Sequence, residues 1–326
     1  MAANAARPAN PSKDDFSGSS SAAKAKRLFH ATRPKFFPAS VLPVIAGTAW
    51  GVSRSGPFEL TVFLLALLAT VCVHAASNVL NDVGDEAGGT DRQNEDRIYP
   101  YTGGSRFIQT GILDSASMTR LGSALLAVAA VAGLVLLFIK GIVILYLGLA
   151  GIILGVVYSL GPARLSSIGL GETAVAIAFG VLPVCGAAWL QGADFTLNLF
   201  VYSLPFSGWV AAILLINEVP DIRPDAATGK GTLPVRFGLH ATAIIYAVLH
   251  LTGVAAVIYL TIVNAMPLLA PLVPLALLVK TRGAVVAIRT GIANRGSMTA
   301  AIESTLAVQT IGSLWLVACM LYTYWA

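Results

Sequence analysis

The sequence predicts an all-α fold, a polytopic membrane bundle of about nine transmembrane helices. Of 326 residues, 56% are hydrophobic and 11% charged, whereas soluble domains carry roughly a quarter charged residues. The apolar residues gather in runs long enough to cross a bilayer, for which about 20 residues suffice. Once the runs are threaded, 19 of the 21 Lys and Arg fall in alternate connections. That asymmetry sets the orientation and supports the span count.

Residues 1–30 are rich in Ala, Ser and Lys with no apolar core, and they read as a disordered cytoplasmic arm. They lack the apolar stretch of a cleaved signal peptide. Residues 31–326 form the transmembrane domain. Its spans fall at 36–54, 58–80, 118–139, 141–160, 171–190, 197–217, 240–262, 264–281 and 301–325, with the seventh and eighth separated at Asn264-Ala265-Met266-Pro267. With the N-terminus in the cytoplasm of a cell (inner) membrane, only Arg54 and Lys140 lie outside. The net charge of +5 therefore reflects topology and an anionic substrate, not nucleic-acid binding. Cys72, Cys185 and Cys319 each sit inside a span without paired spacing, which argues for packing and against a disulfide or zinc framework. Trp50, Trp189 and Trp325, near span ends, read as interfacial belt residues.

Against this apolar background a polar phrase occurs twice. Asn78, Asp82 and Asp85, with Asp91 beyond, end the second span; Asn217, Asp221 and Asp225 end the sixth, 139 residues later. The spacing divides the chain into two four-helix units plus one final helix. Carboxylates at membrane depth are expensive and mark functional paths. On a continuous helix the first set falls within about a 60° sector and the second within about 80°. Each can present an amide and two carboxylates to one cavity, although Pro220 and Pro224 loosen the second helix. Such hard oxygen ligands suit Mg²⁺, which takes one or two carboxylates together with substrate phosphate oxygens.

Basic residues near the two phrases are the expected diphosphate ligands: Arg97, Arg106, Lys230 and Arg236. Gly103-Gly104-Ser105, ahead of Arg106, can turn backbone N–H groups toward an anion. His74, one turn before Asn78, is expected to make a hydrogen bond between helices. Tyr158, beside the Gly161-Pro162 turn, reads equally as an interfacial anchor and as a ring that stabilises cationic charge. Two carboxylate clusters flanked by bases at one membrane face describe an enzyme that handles a metal-bound phosphate ester.

Three phrases resemble the UbiA superfamily of intramembrane aromatic prenyltransferases, and within it the dihydroxynaphthoate branch of menaquinone synthesis. They are N-D-x-x-D-x-x-x-G-x-D from Asn81 to Asp91, G-P-x-x-L-x-x-x-G-L-G-E from Gly161 to Glu172, and the long run from Asn217 to Gly238. Pro38-Ala39-Ser40 and Pro43-Val44 fit as well. The resemblance spans roughly residues 30–325. It implies that Asp82, Asp85, Asp221 and Asp225 bind Mg²⁺, with Asp82 and Asp221 acting in catalysis, to which the reading of the residues adds Tyr158. Asn78, Asn217 and Lys230 would hold the diphosphate of a polyprenyl donor, joined on the reading of the residues by Arg97 and Arg106. It further implies transfer of the prenyl group to a small aromatic acceptor, most simply 1,4-dihydroxy-2-naphthoate with loss of CO₂. The chain departs from the pattern at Glu218 and Pro220, where polar or basic residues are expected, and at Pro224.

Two alternatives stay open at the level of sequence. Another acceptor such as 4-hydroxybenzoate would use the same clusters. A cation-coupled transporter would also carry intramembrane carboxylates, but nearer the bilayer midplane.

Overall fold

A computed structural model of the chain describes residues 11–89, 94, 96–159 and 164–325, and among these it is helical with no strand. In chain order the helices are α1 (Ser21–Ala31), α2 (Pro38–Ser55), α3 (Leu60–Gly88), α4 (Ser115–Lys140) and α5 (Val143–Ser159). Then follow α6 (Gly171–Leu190, with a π turn over Ala176–Val181), α7 (Leu197–Glu218), the short α8 (Ile222–Ala227), α9 (Leu233–Ile262), α10 (Leu272–Thr290) and α11 (Arg295–Trp325). The protein is a multi-pass membrane protein. Among the described residues, seven helices are long and apolar enough to cross a membrane, where nine spans are expected. The other two candidates are α5, which is apolar but 17 residues long, and α10, which carries Lys280, Arg282 and Arg289.

The eighth segment also begins later than its predicted start at 264. Asn264 takes a left-handed backbone and Pro267 and Pro271 follow, so the helix starts only at Leu272. The arm differs as well. Residues 1–10 lie outside the described set, but Ser21–Ala31 form a helix capped by the Ser20 side chain. It is anchored because Arg27 donates to the carbonyls of Phe16 and Gly18, and Phe16 packs edge-on against Phe107 at 4.9 Å. Composition alone missed these contacts with the loop after α3.

Helices α2 and α7 are the most enclosed, while α3 and α4 pack on each other and turn most of their surface outward. Close approach depends on small residues, as expected where lipid supplies no hydrophobic drive. A Cβ on Gly47 of α2 would lie 2.1 Å from the Val184 carbonyl oxygen of α6, and one on Gly180 would lie 2.1 Å from Ser207 Oγ of α7. The three cysteines are buried and unpaired, as expected. Trp50 is not a belt residue. It is buried against Tyr202 (ring centroids 4.8 Å apart), with the Arg54 guanidinium over its ring. Trp189 is half-buried and stacks on Phe195; the Trp325 side chain lies outside the described residues.

Candidate active site

Helix α3 runs unbroken to Gly88, so Asn78, Asp82 and Asp85 share the face that their spacing predicts. The second phrase is broken instead. Helix α7 ends at Glu218, Asp221 precedes the short α8, and Asp225 lies within it. Pro220 and Pro224 account for the break. The two phrases nevertheless meet at one end of the bundle, and Lys230 joins them. Its ammonium lies 2.8 Å from Asp85 and 3.8 Å from Asp225, while its backbone N–H donates to the Asp225 carbonyl.

Asp82 is buried, 2% exposed. One carboxylate oxygen accepts the Ser105 backbone N–H at 2.9 Å, and the other has no partner. The Gly103-Gly104-Ser105 turn thus does aim an N–H at an anion, and that anion is the Asp82 carboxylate. Gly103 and Gly104 both have positive φ, 72° and 71°, which L residues with a side chain rarely adopt. Asn94 Nδ2 donates to Asp221 at 2.7 Å. The same loop is held down by Ile98, fully buried in a core cluster with residues of α7, α9, α10 and α11.

Electrostatics follow from this enclosure. Burial raises the Asp221 carboxyl to about 6, against the opposing pull of Asn94 and Lys230. Burial likewise raises Asp225 to about 7, with Asp221 and Asp85 adding to the rise and Lys230 opposing it. For Lys230, burial disfavours the ammonium, but Asp85, Asp225 and Asp221 outweigh it and lift its pKa. Carboxyls raised in this way stand ready to ionise toward a cation. Among the described residues, no three acidic, imidazole or thiol side chains enclose an ion unaided. Mg²⁺ needs only one or two carboxylates when a substrate's phosphate oxygens complete its shell. The unpartnered oxygens of Asp82 and Asn217 are available for such a role.

The remaining expected site residues separate into two groups. Asn78 is tied to the entry of α2, its amide donating to the Thr32 carbonyl at 3.0 Å. Tyr158 joins the site, and the charges acting on its hydroxyl are Glu218, Glu172, Asp85 and Asp225. Arg97 belongs to the loop scaffold. Its guanidinium reaches the Asn94 carbonyl at 2.6 Å, and its own carbonyl accepts from Arg295. Arg106 takes a left-handed backbone directly after the Ser105 N–H that binds Asp82. Arg236 packs against Gly169 and Gly231, at the junction where Gly231 N–H donates to the Ser167 carbonyl. Asp91 and the Gly161-Pro162 turn lie outside the described residues. His74 makes the inter-helix hydrogen bond expected of it, to Ser40 of α2 at 2.9 Å.

Sequence reasoning missed three site residues. Arg33, left-handed at φ 57° and donating to the Tyr101 carbonyl, acts electrostatically on both Asp82 and Asp221. It was one base among seven ahead of the first span. Asn94 had no spacing to mark it, and Glu172 was visible as the last letter of the Gly-Leu-Gly-Glu turn without a role.

The chain matches the model of the UbiA prenyltransferase family over residues 40–302. It is 31% identical, over 73% of its length and 77% of the relative's, to a 1,4-dihydroxy-2-naphthoate octaprenyltransferase of Haemophilus influenzae. It is 32% identical to the enzyme of the same name from Escherichia coli, over 63% of this chain and 67% of that one. In structure it resembles a UbiA homolog from Archaeoglobus fulgidus solved with GPP and Mg²⁺, with a TM-score of 0.63 over 92% of this chain and all of that one, at 16% identity. By this family match and by these identities over most of its length, the chain belongs to the UbiA prenyltransferase family.

Proposed function

We propose that the protein transfers a polyprenyl group from polyprenyl diphosphate to 1,4-dihydroxy-2-naphthoate, with loss of CO₂, at the cytoplasmic face of the cell membrane. The observation that carries this reading is the junction of the two acid phrases through Lys230, which sits between Asp85 and Asp225. A lysine between two carboxylate clusters provides for a diphosphate: the carboxylates would hold the cations that neutralise it, and the ammonium would add a direct contact. The names of the relatives support the naphthoate acceptor, and the solved homolog with GPP and Mg²⁺ supports the donor and the metal.

Asp82 and Asp85 from α3, with Asp221 and Asp225 around α8, are the residues that would hold Mg²⁺. When bound, the metal neutralises charge developing on the leaving diphosphate. Lys230 contacts the same diphosphate. Asn217, through its unpartnered oxygen, completes the polar rim. Arg33 faces the site from the arm side and offsets the charge of Asp82 and Asp221. Arg106 and Arg97 extend this basic rim, with Arg97 acting through the loop that carries Asn94. The enclosing helices keep water from an allylic cation, and Tyr158 presents a ring to it. The placement of both phrases at one bundle end also disfavours an ion path across the membrane.

The test is incubation of membranes containing the protein with a polyprenyl diphosphate, Mg²⁺ and a panel of small aromatic acids. A prenylated lipid product that disappears with excess EDTA is expected. Full activity in EDTA, or no prenylated product with any acceptor, overturns the proposal.

A further inference from the structure

Helix α1 has two unlike sides. Ala23, Arg27 and Ala31 lie on the side that meets the protein, Ala31 fully buried and the other two half-buried. From there Arg27 donates to the carbonyls of Phe16 and Gly18, and Ala31 shares a core cluster with Val79 of α3, Phe107 and Met118 of α4. The opposite side is apolar and uncovered. Leu28 and Phe29 are 39% and 56% exposed, and Ala22 and Ala25 are exposed beside them. These four fall within about a 120° sector. Lys24 and Lys26, both exposed, stand about 40° beyond its two edges.

Position and charge decide what covers this face. Met118 lies in the first turn of α4, which begins at Ser115 and is long and apolar enough to cross a membrane. Ala31 therefore meets the body at the level where that helix enters the bilayer, and Leu28 and Phe29 stand only about 3–5 Å before it along the α1 axis. Ser21–Ala31 contains no acidic residue and three strongly basic ones, Lys24, Lys26 and Arg27. Arg27 turns inward, while the Lys26 ammonium donates to the Asp15 carbonyl and stays exposed. The acidic residues Asp14 and Asp15 lie in the turn before α1, and the Asp15 carboxylate accepts the Ser12 N–H. An apolar face edged by lysines at headgroup depth suits an anionic bilayer surface, where lysine stems follow the apolar face and their ammonium groups reach phosphates. A soluble partner would have to enter the headgroup layer to cover the same residues.

We propose that α1 is an in-plane docking helix for anionic phospholipid on the membrane face that carries the two acid phrases, with Leu28 and Phe29 seated at the headgroup–acyl boundary and Lys24 and Lys26 on lipid phosphates. The inference does not depend on which reaction the site performs, but its consequence reaches the site. Thr32 and Arg33 follow α1 directly. The Thr32 carbonyl accepts the Asn78 amide at 3.0 Å, and Arg33 donates to the Tyr101 carbonyl in the loop after α3. Docking thus fixes the near end of the segment that brings Arg33 to the acid clusters.

The test uses the full chain in nanodiscs holding one copy each, made of phosphatidylcholine alone or mixed with phosphatidylglycerol. Phe29→Cys and, off the apolar face, His30→Cys carry a polarity-sensitive fluorophore; the three native cysteines are buried. In the mixed discs, lipids spin-labelled near the headgroup are expected to quench the label at position 29 several-fold more than the one at position 30. In unlabelled wild type, amide exchange over residues 21–31 is expected to slow by about five-fold or more when phosphatidylglycerol is present, the scale of a single lysine at an anionic surface. Lys24→Gln combined with Lys26→Gln is expected to abolish that slowing. Equal quenching at the two positions overturns the proposal. So does wild-type exchange indifferent to phosphatidylglycerol, a result that needs no variant to fold, or a slowing retained in the folded double variant. A label at position 29 that is shielded only in discs holding two copies would assign the face to a second copy and overturn it as well.

Discussion

Lys230 Nζ lies 2.8 Å from Asp85 Oδ1, which ties a loop after the sixth predicted span to the end of the second, 145 positions earlier in the chain. The contact is the physical link between the two motif copies. It also places the ammonium where a diphosphate bridging them would lie. Replacing Lys230 by Ala removes one charge-assisted contact, worth about 1.5–3 kcal/mol, so a rise in donor KM with a ten- to hundred-fold loss in kcat/KM is expected. Steady-state kinetics with varied prenyl diphosphate checks it, and unchanged donor kinetics would return Lys230 to a charge that only sets topology.

Asp82→Asn and Asp221→Asn each remove a carboxylate without changing volume. In the Asp82→Asn variant the amide oxygen can still accept the Ser105 N–H, so the loop should stay in place. Turnover is expected to fall about a thousand-fold or more, the scale of losing a dominant electrostatic contribution to the transition state, while the protein remains folded in membranes. Activity within a few-fold of wild type for both variants, measured on monodisperse protein, contradicts a two-cluster site.

The raised carboxyls give a pH dependence of definite sign. Asp221 at about 6 and Asp225 at about 7 both exceed their ordinary 3.8. Their folded pKa values are raised, so their contribution to stability is complete below pH 3.8 and is lost as pH rises through 6 to 7. Metal-free protein should therefore melt at lower temperature at about pH 8 than at about pH 5.5. Mg²⁺ binding needs the ionised forms and should tighten over the same interval. Thermal melts with and without Mg²⁺ and a diphosphate decide it: equal metal-induced shifts at both pH values would show that these carboxyls do not ligate the ion.

The positions of the helices could be read from the sequence because hydropathy runs and alternating basic loops are local signals. The starts of α2 through α7 lie within a few residues of those expected, and the long part of α9 starts after the non-helical Gly238, close to the expected 240, whereas α11 begins earlier and α10 later. What resisted reading was non-local. The Lys230–Asp85 contact, the Asn94–Asp221 bond and the Arg33 approach each join segments far apart in sequence. The Pro220 and Pro224 break was visible as a loosening of the helix, but its result, Asp221 ahead of a short separate helix, required the folded chain. The α1 helix was missed because its stability comes from Phe16 and the loop after α3, not from its own apolar content.

Gly47 offers a test of packing apart from chemistry. Its place against the Val184 carbonyl leaves no room for a side chain, since the obstructing atom is backbone. Gly47→Leu should separate α2 from α6 and lower both the yield of monodisperse protein and its melting temperature, whereas Gly148→Ala on α5, where nothing lies within 4 Å, should be neutral. Equal stability of the two variants would mean that α2 and α6 do not approach as closely as described.

The acceptor assignment carries the most chemical content and invites the sharpest test. In the proposed reaction the allylic C–O bond breaks with its electrons leaving on the diphosphate. A ring π pair forms the new C–C bond at the carbon bearing the carboxylate. The C–COO⁻ bond then breaks, its electrons restore aromaticity, and CO₂ departs. Acceptor labelled in the carboxyl carbon should release one label per prenylated product, and 4-hydroxybenzoate should be a poor substrate under the same conditions. The Gly161 to Glu172 phrase and the Gly229-Lys230-Gly231-Thr232-Leu233 run motivate this choice. Label retained in the product, or a preference for 4-hydroxybenzoate, would leave the family assignment intact while moving the protein to a different acceptor.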